Sequence, residues 1–153
     1  MINCFDGEFA FLSNFYTSPF EDPKTGMMFL TMEHYYQTMK ADNAKDRFTI
    51  ASAPTPGRAK RLGRQCVLRE DWEKVKEQVM EDGLRLKFAD SELHKMLIAT
   101  HSHELIEGNT WHDNEWGSCS CERCKDIPGK NKLGKILMKL RNEFMEEMNY
   151  EEV

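Results

Sequence analysis

Long apolar runs are missing from this 153-residue chain. Nothing in it approaches the roughly 18 consecutive apolar residues that a membrane-spanning helix needs. Met1 to Asp6 read Met-Ile-Asn-Cys-Phe-Asp, with neither a basic leader nor a long apolar stretch. No secretory signal is expected there, and the cytoplasm is the default location. Internal repeats, low-complexity tracts and linkers are also lacking, so one domain over residues 1–153 is expected. Basic excess is lacking too: 26 acids against 21 Lys and Arg leave a net charge of −5. That argues against a surface devoted to nucleic acid. The cysteines number five, an odd count, and a disulfide framework is not expected.

What is present is ordinary in bulk and uneven in detail. A hydrophobic fraction of 40% and a charged fraction of 31% suit a protein with a real core. One local basic run stands out against the acidic whole: Arg58, Lys60, Arg61 and Arg64 with no acid between them.

Residues 1–30 hold short apolar runs broken by Asp6-Gly7, Ser18-Pro19, Asp22-Pro23 and Gly26, a strand-and-turn pattern. Residues 27–31 read as a short buried strand or the lead-in to a helix. From Thr31 the period changes. Met32, Tyr35, Tyr36 and Met39 follow i, i+3, i+4, i+7, the mark of an amphipathic helix. Glu33, Gln37 and Lys40 make a polar stripe bordering that face, where a helix lines a pocket or meets solvent.

Thr55-Pro56 starts a second helix that carries the basic run and ends near Gly63. Asp71 caps a longer helix with Trp72, Val75, Val79 and Leu86 on one face, and Ser91 caps another. Residues 104–107 are a weak strand. Residues 109–131 form a long irregular loop, a kind usually functional or disordered. Leu133, Ile136, Leu137, Leu140, Phe144 and Met148 then make a continuous helical face. Asn131 is its expected N-cap, leaving an open helix N-terminus suited to an anion. The tail, 146–153, is expected to fray. The fold class is α+β, mainly α-helical, with helices around a small irregular sheet.

Three clusters mix rings with amides and charges: residues 11–16, residues 32–40, and residues 111–117. Rings stack on a flat heteroaromatic ligand, amides orient it, and a carboxylate near apolar rings can have a raised pKa. The pattern points to nucleotide chemistry. Each member also has a plainer reading. Trp72 fits core packing, Asp113 can cap a turn, Glu33 can be an exposed helix residue, and the five histidines lack metal spacing.

Cys121-Glu122-Arg123-Cys124 is a Cys-x-x-Cys pair, with Cys119 a third ligand at most and His112 a possible fourth. Closed structural zinc sites need four ligands. A reduced cysteine-rich loop is the favoured reading, and no metal or other cofactor is expected.

The same residues resemble the NADAR superfamily of YbiA-like proteins, in order along the chain. The matching segments are Phe11-Leu12-Ser13-Asn14-Phe15, Glu33 through Ala41, Ala59 through Arg64, Trp72 through Met80 and Leu86-Lys87-Phe88. They continue with Asp113-Asn114-Glu115-Trp116-Gly117 and Gly129 through Arg141. The resemblance implies an N-glycosidase cleaving the bond between ribose and a nitrogen of a guanine-related base. Two substrates follow from it: a ribosylamino-pyrimidine phosphate of riboflavin biosynthesis, or ADP-ribosylated guanine in DNA. It also implies functional roles for Glu33, Trp72, Asp113 and Trp116, with Asn14, Lys40 and Asn131 as further pocket residues.

The chemistry is coherent. Cleaving a ribose–nitrogen bond builds positive charge on the sugar and negative charge on the base. The site needs an anion near the anomeric carbon, a proton donor at the base and an oriented water. Glu33 suits the first or third task, and Asp113 suits ribose hydroxyls or the role of second carboxylate. Lys40 can bind phosphate, donate a proton or attack an opened sugar. Trp72 and Trp116 would stack on the base, and Arg58 to Arg64 would hold phosphate. The rival readings are a non-catalytic ADP-ribose-binding module and a zinc-stabilised nucleic-acid adaptor.

Overall fold

The computed structural model describes residues 1–151. The fold is mainly helical, with a few short strands, and its contacts gather into two compact units. One unit is Asn14–Ala89; the other joins Met1–Ser13 to the chain from Asp90 onward.

The Asn14–Ala89 unit opens with a hairpin of β1 (Thr17–Glu21) and β2 (Met28–Thr31), antiparallel with Phe20 opposite Phe29. Asp22 ties its turn. One carboxylate oxygen accepts from Lys24 N and the other from the Thr25 hydroxyl. Gly26 closes the turn at φ +75°, a backbone region that glycine enters without steric penalty.

Thr31 ends β2 and caps α1 (Met32–Met39), its Oγ1 accepting from His34 N. All eight residues of α1 are buried. Of the two readings of the Glu33–Gln37–Lys40 stripe, lining a pocket or meeting solvent, burial removes the second at Glu33 and Gln37, because α1 is wrapped by β2, α2 (Ala44–Ala51), α3 (Pro56–Gln65) and α4 (Trp72–Lys87). A helix, not a sheet, forms the centre of this unit. Burial on every side demands that its polar groups be satisfied. His34 shows how: Nε2 donates to Ala53 O at 2.9 Å, and Nδ1 lies 2.8 Å from the Thr31 hydroxyl.

α2 was not expected from the apolar period. Its start is nonetheless written in the sequence, since Asn43 accepts from Asp46 N and donates to the Asp46 carboxylate. α3 begins where Thr55-Pro56 predicts and runs two residues past Gly63. α4 buries Trp72, Met80, Gly83, Leu84 and Lys87, a face rotated from the one expected. Asp71 does not cap it through its side chain; that carboxylate pairs with Arg69 at 2.6 Å.

In the other unit, Asp90 rather than Ser91 caps α5 (Ser91–Ile98), accepting from Glu92 N and Leu93 N. α5 packs on α6 (Lys132–Glu151), which buries Leu133, Leu137, Leu140 and Phe144 as predicted. Arg141 also lies on the buried face, donating to Thr100 Oγ1 and His103 O. α6 runs to Glu151, so residues 146–151 of the tail belong to it, and residues 143–151 contain no glycine or proline to break the helix. Glu152 and Val153 lie outside the described residues.

The expected strand at 104–107 reduces to a bridge between Leu105 and Ile2. Pairing falls instead on β3 (Gly108–Asn109) and β4 (Ser118–Cys119), which run parallel. The small sheet expected as one is therefore two separate pairs.

Candidate active site

Glu33 sits in the first turn of α1 at only 7% exposure, and its backbone N–H donates to Asn14 O at 2.9 Å. Gln37, one turn on, donates from Nε2 to Glu33 Oε1 at 2.7 Å. The 3.6-residue repeat puts these side chains one above the other. Two buried side-chain oxygens have no hydrogen-bond partner: Gln37 Oε1, within this pair, and Oδ1 of Asn14, whose carbonyl holds Glu33 N. Each such acceptor costs about 1–3 kcal/mol when left unmade. Polar atoms left this way ask for an explanation, and a donor-bearing ligand or water supplies one.

α3 approaches this corner closely through Gly63. A Cβ there would lie 1.9 Å from Gln37 Oε1. The glycine is what lets the carboxamide stay beside Glu33.

A cationic rim borders the pair. Burial lowers the Lys40 pKa first of all; Arg64 and Lys60 press it the same way, while Cys66 and Glu33 oppose them. Lys40 Nζ lies 5.9 Å from the Tyr36 ring, and Lys60 Nζ lies 5.9 Å from the ring of exposed Phe15. Lys60 and Arg64 are one turn apart on α3, so they share a face. Arg58 is exposed and lies about 160° around the helix from Lys60 at roughly 100° per residue. The basic run therefore divides between two sides of α3, with Lys60 and Arg64 on one and Arg58 on the other.

Trp72 is 6% exposed, its ring tilted against Tyr36 at 5.1 Å. Its aromatic partner here is Tyr36, whose ring has Lys40 Nζ nearby in turn. The core-packing reading describes this geometry.

The other unit gathers Asp113, Trp116 and Asn131 around one loop. Asp113 Oδ1 accepts from Glu115 N and Trp116 N at 3.1 and 2.9 Å, the geometry of a turn cap. Trp116 is half-buried, with Lys132 Nζ 5.9 Å from its ring. Asn131 does not cap α6 with its side chain. Held at φ +49°, it accepts from Glu107 N and donates to Leu105 O. The open helix N-terminus expected for an anion is filled by protein. Lys130, Asn131, Lys132 and Leu133 donate their N–H groups to carbonyls of Asn114, Gly117, Glu115 and Trp116.

The NADAR domain model matches residues 4–145. The chain belongs to the NADAR family. It is similar to N-glycosidase YbiA of Escherichia coli, 39% identical over 141 residues, spanning 90% of this chain and 82% of that protein. A Vibrio vulnificus riboflavin biosynthesis protein is 34% identical over 95% of this chain and 38% of its own length. The NMR structure of Escherichia coli YbiA superposes with a TM-score of 0.79 at 37% identity, covering 97% of this chain and 87% of that one. Together these relatives make this NADAR chain a hydrolase of N-glycosyl bonds. No helix among the described residues is long and apolar enough to cross a membrane.

In this NADAR chain Asn14, Glu33, Lys40 and Arg64 fall in one unit, and Asp113, Trp116 and Asn131 in the other. Gln37 and Lys60 belong to the polar stripe and the basic run read from the sequence, at i+4 from Glu33 and i−4 from Arg64, and Phe15 belongs to the first ring cluster. The close approach of Gly63 to Gln37 carries no signal in the sequence. Lys87, in the Asn14–Ala89 unit, is fully buried beside the rings of Tyr16 and Phe88, and burial lowers its pKa to about 7.

Proposed function

We propose that this NADAR protein hydrolyses the ribose–nitrogen bond of a ribosylamino-pyrimidine phosphate, with Glu33 as the central carboxylate. One observation carries the reading: a buried carboxylate held by Gln37 and, through its backbone, by Asn14, two residues that each carry an unpartnered buried oxygen, with Lys40 close enough to feel its charge. The orphan oxygens of Asn14 and Gln37 suit donors such as ribose hydroxyls or exocyclic amines. Lys40, Lys60 and Arg64 suit a phosphate, and phosphate in turn favours the charged form of Lys40. The riboflavin-related relative supports a free metabolite as substrate.

As the bond to nitrogen breaks, the sugar gains oxocarbenium character. Glu33 stabilises that charge and takes a proton from the attacking water. Gln37 holds the carboxylate oxygen in place, and Asn14 fixes the start of α1 through its carbonyl. The electron pair of the broken bond leaves with the base nitrogen, which takes up one proton in exchange for the one Glu33 received from water, so that the carboxylate is restored.

ADP-ribosylated guanine in DNA is the competing substrate, and it offers phosphate to the same cations. Mass spectrometry after incubation with each compound separates them. The account expects release of ribose 5-phosphate and free aminopyrimidine from the metabolite. Release of ADP-ribose from DNA, with the metabolite untouched, would reassign the substrate. Binding of either without turnover would make the chain a binding module.

A further inference from the structure

We propose that His112, Cys119, Cys121 and Cys124 bind one zinc ion that fastens the loop carrying Asp113 and Trp116. Their ligand atoms, one nitrogen and three sulfurs, all lie within 4.8 Å of one another. His112 Nδ1 is 3.3 Å from Cys121 Sγ and 3.4 Å from Cys124 Sγ. With zinc–sulfur bonds of about 2.3 Å and zinc–nitrogen bonds of about 2.0 Å, the nitrogen–sulfur edge of a tetrahedron is roughly 3.5 Å. The side chains already stand at that spacing.

Three further observations point the same way. His112 adopts φ +71°, a left-handed conformation unfavourable by about 1–2 kcal/mol for a residue with a Cβ. That conformation accompanies the placement of its ring on the two thiols. Sulfur also receives a backbone donor, His112 N to Cys119 Sγ at 3.3 Å, the kind of bond that supports a thiolate ligand. Finally, the surrounding segment is stapled at neighbouring points. Asn114 Oδ1 accepts from Cys119 N, and the buried Asn109 side chain bonds Trp111 N, Asp113 N and Asp113 O.

Other uses of the cluster fit less well. Three cysteines make at most one disulfide, leaving a thiol over and the histidine without a part. An iron–sulfur cube holds its ligands farther apart than these lie. Zinc accepts a closed Cys3His set without regard to ligand field, and such sites are structural. On binding, each coordinating thiol releases its proton to solvent. The metal then stands where an apolar core is thin, since Trp111 and Ile127 of this segment are exposed.

The test is elemental analysis of the full chain purified from zinc-supplemented cells, with Cys4→Ser as control and Cys121→Ser and His112→Ala as variants. One zinc per chain is expected in wild type and Cys4→Ser, and sharply less in the other two. Should those variants not fold, cobalt titration of chelator-stripped wild type gives the answer. Tetrahedral ligand-field and thiolate charge-transfer bands at one equivalent would support the site. Absence of zinc together with absence of those bands would overturn the proposal. So would zinc that persists in folded Cys121→Ser and His112→Ala.

Discussion

The Gln37 carboxamide donates to the Glu33 carboxylate at 2.7 Å, with both side chains buried inside a helix that has no solvent face. A carboxylate in such a place is fixed in direction before substrate arrives, which is what a preorganised charge requires. Hydrogen bonds to charged groups contribute about 1.5–3 kcal/mol. Gln37→Met removes the donor at similar volume. Steady-state kinetics should show kcat lower by roughly 10- to 100-fold and KM little changed. A change confined to KM would mean that Gln37 binds substrate and does not position Glu33.

Gly63 guards the same contact from the other side. Gly63→Ala puts a methyl group 1.9 Å from Gln37 Oε1, so the carboxamide or the helix must move. Overpacking of this kind costs about 1–3 kcal/mol, read as a lower denaturant midpoint. The kcat loss should resemble that of Gln37→Met. The double variant Gly63→Ala with Gln37→Ser, which clears the room, should be more stable than the two single effects added together.

Lys40 and Lys60 are assigned to phosphate. Lys40→Met and Lys60→Met should each weaken inhibition by inorganic phosphate, by roughly tenfold. Arg58→Met should have little effect, because Arg58 stands on another side of α3. Equal weakening by all three would show a diffuse field instead of a site.

Lys87 makes stability depend on pH. Its folded pKa is lowered to about 7, so the unfolded chain holds a proton that the folded chain lacks between about 7 and 10.5. Rising pH across that window therefore favours the fold, and below it this contribution has no slope. Compared with Lys87→Met, wild type should gain stability as pH rises from 7 to 10. Melting temperatures of the two proteins across that range decide it. A gap that stays constant would contradict the burial argument.

Local signals carried much of this fold. Thr31, Thr55 and the Leu133-to-Phe144 stripe announce helices through caps and period, and all three formed. What could not be read is which faces neighbours would cover. Glu33 and Gln37 looked like a border stripe because a helix read alone has a solvent side, and packing by α2, α3 and α4 removed it. Asn131 looked like a free cap because its sequence does not show the 114–117 carbonyls that fill the α6 N-terminus. Arg58 and Lys60 are two residues apart, and only the seating of α3 reveals which one meets Phe15. The four residues of the cysteine cluster were visible as a set, but their convergence depends on the turn at His112.

The central claim is that Glu33 performs the cleavage. Glu33→Gln keeps the shape and loses the charge. The measurement is its turnover of ribosylamino-pyrimidine phosphate by mass spectrometry, alongside its affinity for that compound by calorimetry. The account predicts kcat down by about 10²–10⁴ with affinity close to wild type. Turnover near the wild-type rate in a variant that binds normally would contradict it.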